Sequence, residues 1–162
     1  MSKKEEKTNV MRVLEQKCIP FTPHTYPHED GVAVDGITVA RSMGQDPECV
    51  FKTLVARGAS KALYVFDIPV GDTLDLKKAA RAVGEKSIAM LPQKELLPLT
   101  GYVHGGCSPV GMKKQFPTVF HETAESLPQV AVSAGKIGYQ VVCDPKDLMA
   151  LLRAGTADII VE

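Results

Sequence analysis

The sequence has no surplus of either charge: 19 Lys and Arg stand against 19 Asp and Glu. A chain that grips long nucleic acid nonspecifically must neutralise many phosphates and usually carries a basic excess. That argues against extended nucleic-acid binding and leaves room for a short piece held by a local patch. There is no apolar run near the ~18 residues of a membrane helix. Behind the polar start "MSKKEEKTN" there is no apolar segment of a signal peptide. A cytoplasmic protein without membrane attachment is expected. The four cysteines, Cys18, Cys49, Cys107 and Cys143, form no C-x-x-C pair, so neither a zinc site nor a disulfide framework is expected. Reduced thiols, several in the core, are the simpler reading. His24, His28, His104 and His121 are scattered, and no metal or cofactor is expected. His24 and His28, four apart in an extended segment, fall on one face. With no repeat, low-complexity tract or linker, residues 1–162 are expected to form one domain, with order beginning after the first few residues.

What is present is an intermixed set of helices and strands. Val10, Val13, Leu14 and Cys18 recur at helical spacing before Pro20 and Pro23 stop the pattern. The two prolines of "FTPHTYPH" predict an extended edge segment. "DGITVARSMG" predicts a helix stopped at Gly44, and Asp46-Pro47 a short helical start. "VFKTLVARG" and "ALYVFDIPV" predict a hairpin across "GASK". "DTLDLKKAARAVG" predicts an amphipathic helix burying Leu76, Ala79, Ala80 and Val83. A short strand "SIAML", a helix from Pro92, a strand "PTVFHE" and two strands in "VAVSAGKIGYQVVCD" follow. "DPKDLMALLRAG" predicts a last helix with Asp144 as N-cap and Gly155 just past its end, and "ADIIV" a closing strand. Neighbouring strands joined by short turns require antiparallel pairing, so the fold class is α+β with a mixed, largely antiparallel, barrel-like sheet flanked by helices.

The segment "HGGCSPVGMKKQFPTVF" carries the densest chemistry. A Walker loop fails there: Gly106 and Gly111 have the right separation, but Met112 stands where the lysine belongs, and no G-x-G-x-x-G occurs. His104 lies three residues before Cys107, yet cysteine hydrolases usually draw their histidine from far along the chain, so Cys107 reads as a pocket wall rather than a nucleophile. Glycines without side chains let a substrate approach the backbone, and free N–H groups at Gly105 and Gly106 would hold a carbonyl or phosphate. Lys52 sits inside the apolar strand "CVFKTLVAR". It either lines a polar cleft or protects a sheet edge, and the pattern leaves both open.

"VFKTL", "LDLKKAARAVG", "GYVHGGCSPVGMKKQFPTV" and "VSAGKIG" occur in the order and spacing of the YbaK/EbsC family, which is similar to the editing domain inserted in bacterial prolyl-tRNA synthetases. The resemblance runs from "HTYPHE" to the final "ADI". It implies a cleft for the acceptor end of tRNA(Pro) and hydrolysis of a mischarged aminoacyl ester, with cysteine as the amino acid in the YbaK branch and prolyl-tRNA synthetase as a partner. It implies that Lys52 is the lysine on which activity depends. Thr53, Tyr26 and Ser133 are its pocket companions, and Gly105 is the backbone contact. Gln140 stands where members carry Asp, which bears on substrate orientation. Lys113, Lys114 and Lys136 form a candidate patch for the acceptor end. Because an aminoacyl ester is already activated, positioning suffices, and the cysteine substrate's own thiol can attack its carbonyl. The competing readings are a deacylase for another mischarged tRNA such as Ala-tRNA(Pro), a non-catalytic tRNA- or synthetase-binding module, and a thiol hydrolase using Cys107.

Overall fold

A computed structural model describes residues 7–162, so the first six residues of the polar start lie outside the described ones. The chain runs α1 (Asn9–Gln16), β1 (Phe21–Thr25), α2 (Gly36–Ser42), β2 (Phe51–Gly58), β3 (Leu63–Pro69), α3 (Leu76–Val83), β4 (Ile88–Met90), α4 (Gln93–Thr100), β5 (Thr118–His121), β6 (Val130–Ser133), β7 (Tyr139–Cys143), α5 (Pro145–Leu152) and β8 (Gly155–Ala157).

The helix ends follow capping chemistry. Thr8, Asp35, Asp75 and Asp144 each accept backbone N–H bonds at the starts of α1, α2, α3 and α5, which satisfies donors the first turn leaves open. Gly84 closes α3 in the left-handed conformation. Asp46-Pro47 opens a single 3₁₀ turn, Pro47–Cys49, that delivers the chain into β2.

The strands do not close into a barrel. They form two sheets, ordered β1-β7-β6 and β4-β2-β3-β5-β8. The first is antiparallel throughout. In the second, the β2–β3 hairpin is antiparallel, while β5 runs parallel to both β3 and β8. The α+β class and the mixed sheet therefore hold, and the barrel does not. The reason is local: among the described residues β6 is bridged to the larger sheet at one place, from Ala131 to Val50 just before β2, so the sheets touch without a continuous ladder. A core cluster including Phe51, Val55, Val65 and Phe120 lies on one side of the larger sheet. Phe66, Ile68, Ala79 and Ala80 belong to a second cluster beneath α3.

Other expectations shift. Cys18 is exposed just past α1, at φ 57°, rather than continuing its apolar stripe. Leu76 remains 41% exposed at the first position of α3, before the helix has turned its side chain onto the sheet. Arg153, not a glycine, takes the left-handed cap of α5, and Gly155 instead opens β8. The closing strand thus falls earlier than "ADIIV", of which Ile160 keeps one bridge to Leu74. His28 lies beyond the end of β1, so it shares no strand face with His24; its Nδ1 lies 2.9 Å from the Tyr26 carbonyl oxygen.

Candidate active site

The site grows from an incomplete strand pairing. β4 pairs only with Ala56, Arg57 and Gly58 of β2, so residues 51–54 have β3 on one side and no ladder on the other. Along such an edge, side chains of both faces border the same space. A cavity of about 210 Å³ lies there, walled by Lys52, Thr53 and Leu54 from β2, Tyr26 beyond β1, Ser133 and Gln140 from the smaller sheet, and His104, Gly105 and Cys107 from the glycine loop. Small-molecule pockets usually span ~300–1,000 Å³; this one fits an amino-acid-sized group rather than a whole nucleotide.

Lys52 is partly buried and lines this cavity, on a stretch of β2 that is also an unpaired edge. Burial lowers its pKa and the charge of Asp72 opposes the shift. Thr53 Oγ1 donates to Asp67 Oδ1 at 2.5 Å from the directly opposite position on β3. Asp67 is fully buried, and burial pushes its carboxyl up to about 8, the Thr53 bond acting the other way. Sequence reasoning missed Asp67; the signal was an acid in phase with Val65 on an otherwise apolar strand.

On the opposite wall, Ser133 and Gln140 face each other in register across β6 and β7. Ser133 Oγ accepts from the Gly135 N–H at 3.1 Å, leaving its proton available. Gln140 Oε1 is buried with no hydrogen-bond partner among the described residues. Burial raises the Tyr26 phenol, with a Gly138 backbone hydrogen bond opposing it, so it stays a neutral donor or acceptor. Asp35 also borders the cavity, but its carboxylate is committed to Thr38 at 3.0 and 2.6 Å.

The glycine loop divides in function. Gly105 lines the cavity at φ +89°, and a Cβ there would lie 2.6 Å from Ala33 Cβ. Gly106 does not line it: its N–H donates to the Val103 carbonyl at 3.0 Å, so the expected free donor at Gly106 is spent inside the turn. It is needed instead for close packing, since a Cβ would stand 2.9 Å from the Ile137 nitrogen. Cys107 is buried, and burial, with the nearby Asp67 charge, pushes its thiol up to about 12. A thiol held protonated is a poor nucleophile, as the pocket-wall reading requires. His104 is exposed at the cavity rim; the sequence points to it only as one of four scattered histidines and as a neighbour of Cys107.

Lys113 and Lys114 are exposed, and Lys113 Nζ reaches the Pro98 carbonyl at 3.5 Å beside Gly101. Lys136 lies over the Tyr139 ring, 5.1 Å from its centroid, and borders a second depression of about 380 Å³ with Gly101 and His28.

The class so defined is a two-sheet α+β fold with a small cavity, largely apolar and bordered by a few polar side chains, at an unpaired strand edge. Residues 33–151 match the model of the aminoacyl-tRNA editing domain. A relative from Enterococcus faecalis, provisionally named Cys-tRNA(Pro)/Cys-tRNA(Cys) deacylase EbsC, is 42% identical over 97% of this chain and 95% of its own. A proline–tRNA ligase from Shouchella clausii is 29% identical over 64% of this chain, which spans 18% of that enzyme. A crystal structure described provisionally as a trans-editing enzyme for prolyl tRNA synthetase superposes with a TM-score of 0.83 at 26% identity, covering 99% of this chain and all of that one. The chain belongs to the aminoacyl-tRNA editing domain family, and its class of activity is aminoacyl-tRNA deacylation.

Proposed function

We propose that this protein deacylates mischarged Cys-tRNA(Pro) in trans, the whole chain acting as one editing unit in the cytoplasm. The observation that carries this is convergence: Tyr26, Lys52, Thr53, Gly105, Ser133 and Gln140, dispersed along the sequence, border one amino-acid-sized cavity. The identity with EbsC supports cysteine as the amino acid, and the likeness to a proline–tRNA ligase supports tRNA(Pro) and its synthetase as partners.

In this reading the aminoacyl group enters the cavity. Gly105 offers bare backbone to the ester, and the Lys52 ammonium meets charge developing on the reacting oxygens. The bound cysteine's sulfur attacks its own carbonyl carbon. The S–C bond forms, the ester C–O bond breaks, and the thiol proton passes to the departing ribose oxygen; the resulting thiolactone is later opened by water. The site must only hold sulfur, carbonyl and leaving oxygen in line. The Gly101–Lys136 depression, with Lys113 and Lys114 nearby, receives the terminal nucleotides.

His104 at the rim favours a second reading, hydrolysis through a base-activated water. Deacylation of Cys-, Ala-, Ser- and 2-aminobutyryl-tRNA(Pro), with wild type and His104→Gln, separates them. Loss of cysteine alone, unchanged by His104→Gln, is expected. Equal cleavage of 2-aminobutyrate, which lacks the thiol, would overturn thiol assistance, and inertness towards all four esters, with synthetase present, would overturn the activity.

A further inference from the structure

Asp67 is a buried carboxyl that the reaction above does not use. Strand alternation sends it to the same side as Val65 and Phe51, among the apolar residues of the main core cluster. It is fully buried, and its Oδ2 has no hydrogen-bond partner among the described residues. A carboxyl in such a place costs stability that a valine would not. Its one hydrogen bond goes to Thr53 Oγ1, and Thr53, unlike Asp67, borders the cavity. If satisfying Thr53 were the whole purpose, two apolar residues would serve the core better.

The proton count gives the pair a purpose. A threonine hydroxyl has one proton and two lone pairs. With the proton held by Asp67 Oδ1, Thr53 can only accept from the cavity. Oδ1 remains an acceptor whether the carboxyl is ionised or carries its proton on Oδ2. Gln140 presents a second acceptor, its buried and unpartnered Oε1. Two acceptors in an amino-acid-sized space match a multiple donor, and the aminoacyl group carries one: its free α-ammonium.

We propose that Asp67 is a positioning residue that fixes Thr53 as an acceptor, and that Thr53 and Gln140 together select aminoacyl esters with a free, charged α-amino group. The inference rests on the editing reading. It needs no contact between Asp67 and substrate, and it makes the effect of Asp67 conditional on Thr53.

The test is a double-mutant cycle of Asp67→Val and Thr53→Val, with Asp67→Asn as the isosteric control. Two readouts run in parallel: kcat/KM for Cys-tRNA(Pro), and binding of amide-linked 3′-cysteinylamino-adenosine, which cannot be deacylated. Asp67→Val is expected to cost about tenfold in both readouts when Thr53 is present and less than about twofold in the Thr53→Val background, whereas Asp67→Asn, whose Oδ1 still accepts from Thr53, is expected to stay within about twofold of wild type. The melting temperature of Asp67→Val should equal or exceed that of wild type, which a purely structural acid would not allow. N-acetylation of the analogue should abolish the difference between wild type and Asp67→Val. Additive losses, or losses that track a falling melting temperature, overturn the inference. Wild type that binds the analogue but deacylates nothing counts against the proposed function alone, with the binding cycle still deciding Asp67. Wild type that neither binds nor deacylates overturns both.

Discussion

Gly105 rests its bare Cα against Ala33, in a left-handed backbone conformation at φ +89° where an added Cβ would sit 2.6 Å from the Ala33 Cβ. Two independent constraints thus demand glycine at the one loop position that offers backbone to the cavity. Gly105→Ala is expected to lose about 1–2 kcal/mol of stability from backbone strain alone, and to lose deacylation more steeply than Gly106→Ala, whose position does not face the cavity. Chemical denaturation together with Cys-tRNA(Pro) turnover checks both, and equal activity losses at the two glycines would refute the division.

Lys52 is the cation on the cavity wall. Lys52→Ala is expected to cut turnover by about 10²–10³, the scale of removing one transition-state charge partner. Because burial lowers its pKa and Asp72 opposes that, activity should fall on the alkaline side below the range of an ordinary lysine. Asp72→Asn should move that fall to still lower pH. A pH–rate profile of wild type and Asp72→Asn reads the shift, and a profile insensitive to Asp72 would remove Lys52 from the titration.

Asp67 makes stability depend on pH with a defined sign. Its carboxyl is raised from 3.8 to about 8 by burial, so between those values the native state holds a proton that the unfolded chain has released. Stability contributed by this group is complete below about pH 4 and declines as pH rises towards 8. Urea unfolding across that interval should show the decline in wild type and a flatter course in Asp67→Asn.

Cys107 tests the nucleophile reading. With its thiol pushed up to about 12 in a buried wall, iodoacetamide should label Cys18, which is exposed, well before Cys107. Cys107→Ala should keep turnover within about threefold and lose stability by roughly 1–2 kcal/mol for the buried sulfur. Mass spectrometry of the labelled sites and turnover of the variant settle it; a thousandfold loss would restore the thiol.

The elements and much of the cavity wall are legible in the local pattern of residues. Alternation predicts the β2–β3 hairpin, Asp144 is legible as the cap of the last helix, and the glycine loop and Lys52 stand out because glycine repetition and a cation in an apolar strand cost stability. These signals are local, and backbone preference and desolvation act within a few residues. The tertiary structure decided what is not local. β4 stops pairing with β2 at Ala56, which leaves residues 51–54 without a partner strand on that side and lets Lys52 and Thr53, from opposite faces of one strand, border the same cavity. The fold spends the Gly106 N–H on Val103 and orphans Gln140 Oε1. It also brings Asp67 under Thr53 across 14 residues of sequence, a pairing set by hairpin register and the exclusion of water, neither of which a residue's immediate neighbours can reveal.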